Sequence, residues 1–211
     1  AVEWLLDLGT ATATKGRPDA PLISALEPLF ERFKQLYRLE AGAEDFLGAQ
    51  VSALRRGTDG LPQIFQHGDP GPWNILITED GRTAFLDWEA AEPQGMPLWD
   101  LFHFLRSYSL TVSRAAGRRD PLQSFAAQWL EESELGRLLV ETTSRFCAQT
   151  GLAPGLVEPL FYVCWIHRAL KEAATLPPHR LQRGRYVNIL RLAVERRDSP
   201  GLRRLFSIAG N

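Results

Sequence analysis

Long hydrophobic runs are missing from this sequence of 211 residues. No apolar stretch approaches the roughly 20 residues that a membrane-spanning helix needs. The segment Ala1-Val2-Glu3-Trp4-Leu5-Leu6-Asp7 has no basic start, and Glu3 and Asp7 interrupt it, so it does not read as a secretory signal. An excess of charge is missing too: 24 basic and 25 acidic side chains leave a formal net charge of -1. That balance gives no reason to expect nucleic acid or a membrane surface as partner. Cysteine is scarce. Cys147 and Cys164 both sit in apolar helical patterns, which predicts buried free thiols and excludes a disulfide framework or a zinc site. A cytoplasmic setting is expected. No internal repeat or low-complexity tract occurs.

Apolar residues are plentiful, at 45%, enough for one globular unit with a real core. Their spacing predicts a short helix over residues 2–9 closed by Gly9, then a loop to residue 19. A helical pattern follows over residues 21–39, which Pro28 breaks or kinks. Residues 43–56 read as a helix stopped by Gly57. Residues 74–78 and 83–87 read as two strands around the turn Glu79-Asp80-Gly81-Arg82, a small hairpin. Residues 89–97 read as loop. Helices follow over 98–110, 121–131, 134–150, 156–174 and 180–197, with a short element at 203–208. The fold class is mainly α with a small β-hairpin, which must lie on the helices to bury a face. Arg180, Arg183, Arg185, Arg191, Arg196 and Arg197 form the densest basic run. It reads as a solvated helix face, with a phosphate- or partner-facing surface as the alternative.

Chemistry concentrates in two runs, His67-Gly68-Asp69-Pro70-Gly71-Pro72-Trp73-Asn74 and Asp87-Trp88-Glu89. The hairpin brings Asn74 and Asp87 together across thirteen residues. A neutral and an anionic side-chain oxygen at its mouth suit magnesium, which completes its shell with water and phosphate oxygen. Asp69, on the same loop, is left to face an acceptor. An Asp followed five residues later by an Asn, then by a metal-binding Asp, is the arrangement of phosphoryl-transfer sites in protein kinases.

With its His-Gly-Asp, four intervening residues and Asn, and with Asp87-Trp88-Glu89, the chain resembles the aminoglycoside phosphotransferase family. That family includes choline, homoserine and methylthioribose kinases and shares ancestry with protein kinases. Gly95, Pro97 and Asp100-Leu101 continue the likeness, which is specific over about residues 65–105. The resemblance implies an ATP- and magnesium-dependent transfer of phosphate to a hydroxyl of a small molecule. By it, Asp69 orients the acceptor hydroxyl and takes its proton. His67 holds the loop, and Asn74 and Asp87 bind magnesium on the nucleotide phosphates. Asp100 anchors the loop, with Glu89 nearby. Trp73, Trp88, His167 and the adjacent Arg168 are possible acceptor-site residues; His103 reads as a core or loop-contacting histidine.

The family's N-terminal lobe finds no counterpart. The residues ahead of His67 read as helical, and neither Lys15, in a loop, nor Lys34, on a helix, suits the nucleotide lysine. The resemblance therefore implies that residues 1–211 form the C-terminal lobe of a protein-kinase-like (α+β) fold. Within it lie a catalytic core at 61–105 and a variable helical subdomain at 106–211. The missing N-terminal lobe would be a partner from the same protein, and the isolated lobe would be inactive. The alternative is a non-catalytic kinase-like or helical interaction module.

Overall fold

The structure is a computed structural model that describes residues 1–14 and 20–208. Lys15 and the rest of the expected loop to residue 19 lie outside the described residues. Helix α1 (Val2–Thr12) runs past Gly9, where the sequence suggested a stop. Gly9 is a notch and not a terminator: a Cβ there would lie 2.5 Å from the ring of Phe146. Two helices, α2 (Ala20–Ser24) and α3 (Leu26–Leu36), replace the single interrupted one. The break falls just before Leu26, and Pro28 sits in the first turn of α3, where a missing N–H costs least. Helix α4 (Ala41–Arg56) ends at Gly57, as its pattern predicts.

The centre of the chain is short strands. Strand β1 (Ile64–Gln66) precedes the hairpin of β2 (Ile75–Ile77) and β3 (Thr83–Phe85), antiparallel with Ile75 opposite Phe85. The expected loop at 89–97 contains a strand, β4 (Glu92–Gly95), which pairs antiparallel with β1. Pro93 hid it. A two-stranded ribbon has free edges, and there a residue without an N–H is tolerated. Met96 N donates to Oε1 of Gln66 and extends the pairing. Phe65 N donates to Oγ1 of Thr12, and Thr14 N to the carbonyl of Gln63, so the end of α1 is stitched beside β1.

The remaining helices are α5 (Trp99–Ala115), α6 (Pro121–Phe125), α7 (Glu134–Thr150), α8 (Val157–Ala173), α9 (Arg185–Glu195) and α10 (Pro200–Phe206). A π-helical turn, Ala126–Leu130, follows α6. The sequence carried the fifth of these helices back to residue 180, but a 3-10 segment, Pro178–Arg183, precedes α9. Asp120 and Ser133 cap α6 and α7 through side-chain oxygens, and Gly151 closes α7 in the left-handed region.

Helix α8 is the axis of the molecule. Its run from Leu160 to Ile166 is fully buried, as befits a helix apolar on all sides. Phe161 and Trp165 join Phe102, Phe125 and Trp129 in one aromatic cluster. Cys147 and Cys164 are free and buried. The fold is thus mainly α with two small antiparallel ribbons, consistent with a protein-kinase-like α+β fold. Among the described residues no helix is long and apolar enough to cross a membrane.

His167 on α8 stacks on Trp99 with ring centroids 4.6 Å apart. Nδ1 of His167 is buried without a partner. Burial pushes its imidazole down to about 3, with the charges of Arg168 and Lys171 adding to the effect. The unfolded chain therefore binds this proton from about pH 6.5 downward while the folded chain refuses it. A His167→Phe variant keeps the stacking and loses the titration. Its stability advantage over the natural protein is expected to grow below pH 6.5 by up to about 1.4 kcal/mol per pH unit. Denaturant titrations across that range measure it; a constant difference would contradict it.

Candidate active site

The loop after β1 is fixed from below by Asp100 at the start of α5. His67 N donates to Oδ2 of Asp100 at 2.6 Å and Gly68 N to Oδ1 at 3.0 Å. Burial pushes the Asp100 carboxyl up to about 6, against the two N–H bonds that favour its charge. Gly68 has φ +82°, and a Cβ there would come within 2.1 Å of the carbonyl oxygen of Ala90. Only glycine fits that approach. Nε2 of His67 lies 2.9 Å from the carbonyl oxygen of Leu86, which can only accept, so the proton belongs on Nε2. Nδ1 then receives the backbone N–H of Asp69 at 3.3 Å. The ring also packs on Trp88, with centroids 4.5 Å apart. His67 thus ties the loop to the far end of the hairpin.

Asp69 emerges from this loop partly exposed. Its Oδ1 lies 3.0 Å from Nε2 of His103 on α5 and 3.1 Å from Nη2 of Arg168 on α8. Nε of Arg168 donates to Nδ1 of His103 at 3.0 Å, so the proton of a neutral His103 must sit on Nε2. That nitrogen is at hydrogen-bond distance from Asp69 but poorly aligned with it. Burial, helped by the charge of Arg168, pushes His103 down to about 3, so the true ion pair is Asp69 with Arg168. His103 first, and the Arg168 charge after it, hold the Asp69 carboxyl well below the usual carboxylate range. Nη1 of Arg168 also donates to the carbonyl of Gly68 at 2.8 Å. Oδ2 of Asp69 has no hydrogen-bond partner among the described residues.

Asn74 closes the loop: its Nδ2 donates to the carbonyl of Asp69 at 2.9 Å. Its Oδ1 then has no partner among the described residues. Leu86 N donates to the carbonyl of Asn74 at 2.8 Å, so the hairpin register places Asp87 one residue beyond the pair. Asp87 is exposed and has φ +61°, a strained conformation for a residue with a side chain. Among the described residues no three of His, Cys, Asp and Glu come together as a closed metal cage. An amide oxygen beside one exposed carboxylate suits an ion that keeps water and phosphate ligands, as magnesium does.

The other expected residues divide. The Trp73 ring is 58% exposed and approaches His103, with centroids 6.2 Å apart. It stands on the same side of the loop as Asp69's neighbour and is open to a ligand. The Trp88 indole donates to the carbonyl of Phe85 and packs on His67 and Trp4, a packing role. Glu89 is exposed. His167 packs on Trp99, and it is the adjacent Arg168 that reaches the loop. Sequence reasoning gave no role to Arg106 or Tyr186, which lie beside His103 and Arg168. The available signal was a charged residue three positions after His103 on an otherwise apolar face.

Neither the curated proteins nor the solved structures contain a match to this chain. A family model does match, over residues 7–139, a span that includes the second half of α1, the His67–Asn74 loop, the hairpin and α5. Its description is "Phosphotransferase enzyme family", and the match covers well over half of the 211 residues. The His-Gly-Asp loop held by Asp100, with Asn74 and Asp87 at the same end of the hairpin, lies inside that span, and the chain belongs to the phosphotransferase enzyme (APH) family.

Proposed function

We propose that this chain carries the catalytic loop and acceptor-binding part of a small-molecule kinase in the cytoplasm. The γ-phosphate of ATP would pass to an alcohol of the acceptor. Residues 1–211 would be the C-terminal lobe, with its core at 61–105 and the helical subdomain at 106–211. A nucleotide-covering lobe would come from elsewhere in the same protein. The observation that carries the proposal is the free Oδ2 of Asp69 on a loop whose backbone is held at His67, Gly68 and Asp69.

In the transfer, the acceptor oxygen forms a bond to the γ-phosphorus as the bond from that phosphorus to the bridging oxygen breaks. ADP leaves with the electron pair, and the acceptor's proton goes to Asp69. Magnesium, when bound, neutralises charge on the phosphates. Asn74 and Asp87 are the residues that would hold it. Arg168 occupies Oδ1 of Asp69 and so directs Oδ2 to the acceptor. A carboxylate so acidic is a weak base, so Asp69 mainly orients the hydroxyl and accepts its proton late, when the oxygen has already become acidic. The helical-module alternative requires Asp69, Asn74 and Asp87 to be unrelated in space. The Asn74 bond to Asp69 and the hairpin register weigh against it.

With magnesium and ATP, the full-length natural protein is expected to phosphorylate one class in a panel of hydroxylated acceptors. Asp69→Asn should lower kcat by roughly 100- to 10,000-fold with little change in nucleotide affinity. Equal rates in variant and parent would refute the assignment of Asp69. Asp87→Asn should instead weaken magnesium–ATP binding, as titration calorimetry would register. Because Asp69 stays ionised, the pH–rate profile should show no acid limb from it between about pH 5 and about pH 8. A limb that vanishes in Asp69→Asn would count against its low basicity.

A further inference from the structure

Of the six tryptophans, Trp73 is the most exposed, at 58%. It stands in the turn between Asp69 and Asn74, and backbone bonds close that turn. Gly71 N donates to the carbonyl of Asp69 at 2.8 Å, and Asn74 N to that of Gly71 at 2.9 Å. Pro72 fixes the backbone just ahead of the ring. A Cβ on Gly71 would fall 2.1 Å from the Trp73 indole, and both atoms of the ring fusion, Cδ2 and Cε2, are among the nearest. The glycine therefore meets a face of the indole and not its edge. The opposite face is the exposed one.

That face stands beside the proposed reacting group. His103 approaches Trp73 at a steep angle, with centroids 6.2 Å apart, and its Nε2 lies 3.0 Å from Oδ1 of Asp69. Asp69 is itself partly exposed, and its Oδ2 is free. The indole N–H of Trp73 has no hydrogen-bond partner among the described residues, whereas Trp88 gives its own to the carbonyl of Phe85. An exposed apolar side chain is ordinary in itself. Trp73 differs in being fixed by its turn, open on one face and supplied with a free donor, all next to a solvent-facing carboxylate.

The surrounding charges disfavour an ionic ligand of either sign. The free Oδ2 of Asp69 repels a carboxylate or a phosphate. Arg168 at Asp69 and Lys171, whose Nζ lies 3.5 Å from the carbonyl of Gly68, repel an ammonium group that the indole face would otherwise attract. The C–H face of a saturated ring suits the indole better. Its hydrogens carry slight positive charge, and its hydroxyls remain at the rim for hydrogen bonds.

We infer that Trp73 is a specificity-determining platform for the acceptor, and that the acceptor is an uncharged cyclic polyol, a pyranose or a cyclitol. The inference rests on the proposed phosphotransferase function. The ring stacks on the open face of the indole, one hydroxyl accepts the indole N–H, and another reaches Oδ2 of Asp69.

The full-length protein is tested with glucose, galactose and myo-inositol as rings, sorbitol and glycerol as open chains, and glucosamine as a charged ring. Binding is first measured without nucleotide, by calorimetry and by protection of tryptophan fluorescence from acrylamide. At least one uncharged ring is expected to bind roughly 3- to 30-fold more tightly than sorbitol and to shield the quenchable emission. Trp73→Ala should remove that preference. Trp73→Phe, which keeps an aromatic face, should retain most of it. Neither change should move the unfolding midpoint, because so much of the ring is already in water. A merely structural tryptophan would do the opposite, shifting the midpoint and leaving the ring preference in place.

Equal binding of rings and open chains, a preference that survives Trp73→Ala, or tighter binding of glucosamine than of glucose would overturn the inference. So would loss of magnesium–ATP binding in Trp73→Ala, which would put the indole on the nucleotide's side. Phosphate transfer is then measured separately with magnesium and ATP. Transfer to a ring, with KM raised by Trp73→Ala and kcat little changed, would support both readings. Ring binding without transfer would support the platform and count against the kinase function. Transfer to open chains and rings alike, indifferent to Trp73→Ala, would do the reverse.

Discussion

A single buried carboxylate, Asp100, takes up two consecutive backbone N–H groups, those of His67 and Gly68, and the site hangs from it. Without that acceptor, two donors would be left in a desolvated turn, each at a cost of about 1–3 kcal/mol. With it, the chain is committed to one path: out of β1, over a glycine in the left-handed region, and on to Asp69. The carboxylate comes from the first turn of α5, whose far side packs into the aromatic cluster around α8. The loop's position is therefore inherited from the core. His67 adds a second tether, and through Leu86 it fixes the loop relative to the hairpin that presents Asp87.

Asp69 shows how the environment selects between orientation and basicity. A carboxylate beside a neutral imidazole and a guanidinium is kept ionised and kept weak. Its inner oxygen is spoken for, and its outer oxygen faces solvent. The neutrality of His103 follows first from its burial, and Arg168 adds to it by filling Nδ1 and repelling a second positive charge. One arginine thus sets a tautomer and helps to set two protonation states, from a helix a hundred residues away from Asp69 in sequence.

The residues proposed for the site could be picked out from the chain because they are local. Asp69, Asn74 and Asp87 lie within twenty residues, and a hairpin with a clear turn brings them together. The central helices could be read for the same reason: their spacing reports one buried face or, for α8, all of them. What escaped was tertiary. Gly9 has the composition of a helix stop, yet it is the seat of the Phe146 ring. Pro93 argues against a strand, yet β4 has only one partner and a free edge to spare. Arg106 looks like a solvated charge in a one-dimensional pattern, and Arg168 stands out only as a possible acceptor contact beside His167. Only the packing of α5, α8 and α9 turns them toward one tyrosine and one carboxylate.

The seating of Phe146 on Gly9 also bears on the order in which the chain can mature. Helix α1 is closed over by α7: Arg145 grips the Glu3 carboxylate with two hydrogen bonds, and Thr10 reaches Gln149. The first helix leaves the ribosome long before its partner has been translated, and at about 5–20 residues per second the wait is roughly 7–30 s. During that interval the apolar face of α1, with Leu5 and Leu6, lacks the α7 surface that covers it. The end of α1 is also hydrogen-bonded to β1, so the His67–Asn74 loop that follows β1 leans on the same helix.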